Sequence, residues 1–328
     1  MTGARGTPVA AVLALLLLGL AACRPAEGPR GWECIAPAGP GGGWDLTCRT
    51  VARVLGEVGL SPGMVRVTNI PGAGGGIAYA HTVSQREGDR NVLVAASPAT
   101  ILRLAQGQFA HLTEDDVRWL GAIATDWGIV AVRPDAPWKT LDALLDHWRA
   151  DPGSVVVSGG SAVGGQDHMK ILLLADRAGI DPRSVRYVPF DGGGEAMMAL
   201  LGGFVNVFSG DVTQGMSQKE AGRIRVLALL APERVGGALS DVPTARELGY
   251  SVEWVTWRGF YAPPGIPDST YGRWVAVLDT LAASPEWSRA RDQARLDPYL
   301  VTGDDFESLV RAQVEELRDL SRRLGLLP

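Results

Sequence analysis

From residue 34 onward, short apolar runs alternate with amphipathic stretches, and nearly every junction between them carries glycine. Residues 34–36 read as a strand, and from Asp45 a helical pattern sets Val51, Val54, Leu55 and Val58 on one face. Residues 65–69 form a second strand, leading through "IPGAGGG" into a helix over 77–85 that stops near Gly88. A third strand, 91–96, leads through "SPAT" into 101–105. The rhythm predicts an open α/β sheet. It restarts at 155–157, through "SGGSAVGGQD" into a helix over 168–178, and at 185–188, through "PFDGGGE" into 196–201. Residues 205–208 lead through "SGD" into another helix, and 226–230 form a further strand. The tail from Asp268 reads as helical, with Trp287, Phe306, Val310, Val314 and Leu317 as core candidates. The repeat is architectural, without repeated sequence.

Two long stretches link the halves: "LGAIATDWGIVAVRPD" (120–135) and "VEWVTWRGFYAPPGIP" (252–267). Two open sheets flanked by helices and joined by two extended crossings would make a hinged molecule with a ligand cleft between its lobes. One continuous sheet is the alternative. The two-lobed reading divides the chain into lobe 1, residues 32–128 and 258–328, and lobe 2, residues 129–257. Ahead of them, Arg5, an apolar run over 9–20 and the closing Leu20-Ala21-Ala22-Cys23 read as a lipoprotein signal peptide, residues 1–23, followed by a linker, 24–31. The tetrapeptide resembles a bacterial lipobox, which implies lipidation at Cys23; an ordinary secretory leader with an incidental cysteine is the alternative. The expected location is the periplasm or outer cell surface, with a lipid anchor.

Export also permits a disulfide between Cys34, on the first strand, and Cys48, in the following helix. Packed strand and helix lie about 10 Å apart, whereas a disulfide needs Cα atoms within about 7 Å. Bridged cysteines and two buried thiols both stay open. The histidines, His81, His111, His147 and His168, are scattered and share no metal-ligand spacing with cysteine or carboxylate, so no metal or cofactor is expected. The 328 residues carry a net charge of −5 and no long basic run, which argues against nucleic acid as a partner.

An anion bound by such a chain must be held locally, and strand ends that lead into helix starts are suited to it. Glycine or serine loops of this kind occur at 39–45, 71–76, 97–100, 158–165, 191–194 and 209–211. No Gly-Lys pair of a phosphate-binding Walker loop occurs. Where a dinucleotide fingerprint needs its third glycine, Ile77 and Trp44 stand instead. No G-x-S-x-G elbow or Cys–His nucleophile pair is present. Asp45 reads as a helix N-cap, Asp211 and Glu195 as acids favoured at helix starts, and His168 as a solvated or capping residue.

The segments "ECIAPAGPGGGWDLTCR", "NIPGAGGGIAYAH", "VPFDGGGEAMMALLGGFVNV", "DVPTARELGY" and "TWRGFYAPPGIP" resemble, in order, the extracytoplasmic solute receptors of tripartite tricarboxylate transporters. The cysteine-bearing opening and "TWRGF" are most similar to the citrate type. The resemblance implies a type II periplasmic binding protein, monomeric and without chemistry of its own. It would capture a small organic anion and deliver it to integral-membrane transporter subunits. The implied ligand contacts are Gly42, Gly43, Trp44 and Asp45 in the first loop, Gly74, Gly75 and Gly76 in the second, and Ser97. Facing them would stand Ser158, Gly159, Gly160, Ser161, Asp191, Gly192, Gly193 and Asp211, with Arg258 a candidate cation. The family commonly has a shorter turn where this chain has "GGSAVGGQDHM", which leaves the contact in that loop open. Two other readings fit an exported α/β scaffold: an enzyme acting on small carboxylates, and a sensor whose closed form meets a signalling partner.

Overall fold

The computed structural model describes residues 31–327 and Thr2; the expected leader, Cys23 and linker residues 24–30 lie outside the described residues. Strand β1 (Glu33–Ala36) pairs in parallel with β2 (Arg66–Asn69) and β3 (Val92–Ala96). The intervening helices are α1 (Gly43–Glu57), after β1, and α2 (Gly76–Gln85), after β2; α3 (Pro98–Ala105) follows β3. β1 and β3 are buried on both faces, as parallel strands covered by helices must be. Cys34, Ala36 and Leu93 pack with Phe260, Trp274 and Trp287 on one side, while Ile35 and Val94 pack with Trp119, Tyr261 and Phe306 on the other.

The second set repeats the plan. After β4 (Arg118–Val132) and α4 (Leu141–Ala150), β5 (Val156–Gly159) pairs in parallel with β6 (Arg186–Pro189) and β7 (Val207–Asp211). Helices α5 (Gln166–Arg177), α6 (Gly193–Leu201) and α7 (Val212–Glu220) follow these three strands. β8 (Arg225–Leu230) completes the set. Trp148, Val157, Met169 and Leu174 fill one face, and Ile129, Met197, Phe208 and Leu229 the other.

The two sets share β4. Through Trp127 it pairs antiparallel with β9 (Val255–Ala262), and from Gly128 onward with β7 and β8. The return crossing lies beside it: the Trp254 N–H donates to Leu230 O, and Trp254 O accepts from the Gly128 N–H. The expected pair of sheets is thus joined into one hydrogen-bonded path, in the order β2-β1-β3-β9-β4-β7-β5-β6. Both long β-prone stretches are crossings, and each changes partners at one peptide.

The tail departs from its expectation. Helices α8 (Asp268–Ala282), α9 (Pro285–Gln293) and α10 (Gly303–Arg323) are interrupted by a strand, β10 (Asp297–Thr302), antiparallel to β4. Pro298 cannot donate in a helix, and Val301 and Thr302 favour an extended backbone, so pairing with β4 decides the conformation. Trp287, Phe306, Val310 and Val314 are buried as expected, and Leu317 packs partly buried. Among the described residues, no helix is long and apolar enough to cross a membrane.

Cys34 and Cys48 are bonded, with Cα atoms 5.6 Å apart. The spacing argument against the bond measured from the helix axis. Cα atoms stand about 2.3 Å off that axis, and the facing strand carries the small residue Ala36. The bond therefore ties β1 to the second turn of α1 across the first glycine loop.

Candidate functional site

The first glycine loop is held by side chains from two other elements. Gly42, extended, is the N-cap of α1 and offers no side-chain cap. Asp45 is not the N-cap it was expected to be, because the helix begins two residues before it. Its carboxylate reaches back instead, accepting from the Gly41 N–H at 2.8 Å, Arg49 Nε at 2.9 Å and Asn69 Nδ2 at 2.8 Å. Burial opposes its ionisation, but Arg49 and the Gly41 N–H outweigh it and hold the Asp45 pKa below the ordinary value. The first-turn N–H groups of Gly43, Trp44 and Asp45 have no intrahelical acceptor and face out of the helix start. Arg258 stands over them: a methyl group built on Gly43 would lie 3.2 Å from its Nη1.

From here, contacts pass around a ring that includes both strand sets. The Trp44 ring lies 3.5 Å from a methyl built on Gly75, and Arg103 Nε lies 3.2 Å from one built on Gly74. Gln106, on the turn after α3, donates to Gly164 O at 2.8 Å, which links the first set to the β5–α5 loop. That loop packs backbone to backbone on the next, since a methyl on Gly160 would lie 2.2 Å from Gly193 N. Gly193 in turn abuts Gln214, whose Oε1 accepts the Asp211 N–H at 3.0 Å. Arg258 Nη2 lies 3.8 Å from Asp211 Oδ2 and closes the ring at Gly43. An open apolar depression lined by Arg133, Phe190, Met198 and Phe204 shares no residue with it.

Beneath the crossing lies a buried ionic cluster. Lys170 Nζ sits 2.9 Å from Asp167 and 2.5 Å from Asp211, and it donates to Gly210 O at 3.1 Å. Asp126 accepts from Arg258 Nη2 at 2.9 Å and from Thr213 Oγ1 at 2.6 Å. Three carboxylates thus meet two cations. Burial and the neighbouring Asp211 push the Asp126 pKa up to about 6, and burial raises that of Asp167. The Lys170 pKa is raised despite its burial, because Asp167 and Asp211 both favour the ammonium. Asp211 Oδ2 and Trp44 Nε1 are buried with no hydrogen-bond partner.

Several expected contact residues are committed within the fold. Ser97 Oγ caps α3, Ser158 Oγ donates to Ala196 O and Val207 O, and Ser161 Oγ accepts from the Asp167 N–H. Asp211 is the N-cap of α7 and belongs to the ionic cluster. The glycines keep loops close together: Gly74 and Gly75 need positive φ, and Gly159 leaves room for the Tyr187 hydroxyl. Gly76 lies against Phe109, and Gly192 is the extended N-cap of α6. Asp191 is exposed beside it, as is Glu195 in the first turn.

Arg258 is a buried cation of the ring rather than a surface residue. Asp126, Lys170, Asp167 and Arg103 were not anticipated. The signal was an acid inside the apolar run of β4 and a lysine within "HMKILLLA".

His168 is buried, not solvated. Its ring packs tilted against that of Tyr187, with centroids 4.5 Å apart, and its Nδ1 accepts the Gly164 N–H at 3.0 Å. Burial lowers its pKa to about 4 from an ordinary 6.5. Between those values the unfolded chain takes up a proton that the folded chain refuses, so this residue's contribution to stability is lost as pH falls from 6.5 through about 4. Asp126 acts in the opposite sense, favouring the fold below its unfolded pKa and losing that effect as pH rises through about 6. An NMR titration of the imidazoles is expected to find His168 neutral at pH 6; a midpoint above 6 would mean that the ring is hydrated.

The sequence profile described as "Tripartite tricarboxylate transporter family receptor" matches residues 50–326. Protein BugT of Bordetella pertussis is 29% identical over 304 residues, 89% of each chain. A protein encoded in the tcbD-tcbE intergenic region of Pseudomonas sp. strain P51 is 26% identical, covering 87% of this chain and 84% of its own. The fold is shared with MatC from Rhodopseudomonas palustris with bound malate, at a TM-score of 0.74, 20% identity and coverage of 88% of this chain and 98% of that one. It is shared also with an R. palustris protein with adipate, at 0.79, 22%, 90% and 97%. The chain belongs to the receptor family of the tripartite tricarboxylate transporters.

Proposed function

We infer that the protein is an exported receptor that captures a small organic acid with two or three carboxylates, citrate-like acids included, and hands it to integral-membrane transporter subunits. The carrying observation is the meeting of Arg258 Nη1 with the start of α1 at Gly43. A guanidinium and the positive end of a helix repel each other, and a carboxylate between them satisfies both. The orphaned Trp44 Nε1 is a further donor at the same loop. Relatives seen with malate and adipate support the ligand class.

Residues 32–128 and 258–328 form one lobe on this reading and 129–257 the other, turning about Trp127/Gly128 and the return strand near Trp254. Closure delivers both sets of loops to one ligand, and that difference in affinity drives it. The leader and its Leu-Ala-Ala-Cys ending support release to the periplasm or outer surface as a monomer tethered through lipid on Cys23. The family supports binding without chemistry.

Isothermal titration with malate, adipate and citrate tests this against a Gly43→Val variant. The valine would displace the Arg258 guanidinium and lift the backbone from the ligand. Losing one charge-assisted hydrogen bond, about 1.5–3 kcal/mol, weakens binding about ten- to a hundredfold. Unchanged affinity in a folded variant would remove the site from this loop.

A further inference from the structure

The ring contains a second guanidinium that the receptor reading leaves without a task. Arg103, in the last turn of α3, lies between the second glycine loop and the β5–α5 loop. A methyl on Gly74 would be 3.2 Å from its Nε, and one on Gly164 would be 3.8 Å from its Nη1. Its Nη1 donates to Gln106 Oε1 at 3.1 Å. The Gln106 amide nitrogen is occupied in turn by Gly164 O and Ser321 Oγ, so Gln106 is fixed and orients the guanidinium.

Arg258 is answered by Asp126, but among the described residues Arg103 has no carboxylate partner. Burial disfavours its charged form, and Tyr187 opposes that effect without reversing it. An oriented, half-buried and uncompensated cation at the junction of the two strand sets has the properties of an anion receptor.

We propose that Arg103 receives a second carboxylate of the ligand, so that the protein selects dianions and trianions over monocarboxylates of the same length. The proposal rests on the receptor reading above and adds the group that sets charge selectivity. The first carboxylate binds at the start of α1 beside Arg258. The second reaches Arg103, whose position between loops of both strand sets makes this contact complete only when those loops are together. A monocarboxylate keeps the first contact and leaves the half-buried Arg103 without a counter-charge.

The test titrates wild-type, Arg103→Gln and Arg103→Lys proteins with succinate, adipate and citrate, each beside the amide that leaves it one free carboxylate: the monoamides of succinate and adipate and the diamide of citrate. Wild-type protein is expected to bind its best acid at least tenfold more tightly than the matching amide. Arg103→Gln should weaken the acid ten- to a hundredfold while changing the amide by less than threefold, and Arg103→Lys should retain part of the preference. An equal loss for acid and amide would make Arg103 a brace for Gln106 and overturn the proposal, as would a preference that survives Arg103→Gln. Wild-type protein that binds none of the six probes would overturn the receptor reading and this proposal together. Wild-type binding without charge preference would overturn this proposal alone.

Discussion

Replacing Lys170 with Met is expected to destabilise the protein by about 3–5 kcal/mol, the range for removing one partner of a buried ion pair. The side chain is fully buried, and its ammonium is shared by Asp167 and Asp211. Methionine fills the volume but leaves both carboxylates without their cation in a site closed to water. Because the remedy is protonation, the loss depends on pH. Burial already raises the Asp167 pKa and Lys170 opposes that rise, so without Lys170 it rises further; the fold keeps its stability below the unfolded carboxylate range and loses it as pH rises through the new value. Urea unfolding of the variant should therefore show a larger deficit at pH 8 than at pH 5. A deficit below about 1 kcal/mol, or one equal at both pH values, would mean that water reaches the cluster.

The same cluster shows why part of the site could not be read from the sequence. Strand–loop–helix order, the two crossings and the glycine loops leave local marks: apolar runs, Gly clusters and a Pro at the end of each crossing. These were legible because α1, α2 and α6 begin where glycine frees the backbone to turn into a helix. The ionic cluster has no such mark. Asp126, Lys170, Asp211 and Arg258 come from four elements, and only the change of partners by β4 at Trp127/Gly128 brings them together. The structure also gives two of the anticipated residues partners within the fold. The family resemblance implied Ser158 and Asp45 as ligand contacts. Ser158 donates to carbonyls of neighbouring elements, and Asp45 accepts the Gly41 N–H of the first glycine loop. β10 was misread for the related reason that a six-residue strand containing Pro298 is defined by its partner β4, not by its own pattern.

The double substitution Cys34→Ala with Cys48→Ala is expected to cost about 3 kcal/mol, the loop-closure value for a bond spanning about 15 residues. The sequence separation is 14, and the bond encloses the whole first glycine loop together with the start of α1. Both cysteines are fully buried in the core cluster that also holds Val51, Val54 and Leu93, so alanine removes little besides the sulfur atoms. The constraint bears on function as well as stability. Without the bond, β1 and α1 keep their apolar contacts, and Asp45 and Asn69 still grip the loop. The loop then has more conformations to lose when it closes on a carboxylate, which should weaken binding severalfold without changing selectivity. Thermal and urea unfolding give the first effect, and titration with the best-bound acid gives the second. If stability falls by less than about 1 kcal/mol while affinity is unchanged, packing and the Asp45 clamp hold the loop unaided, and the disulfide has no part in shaping the site.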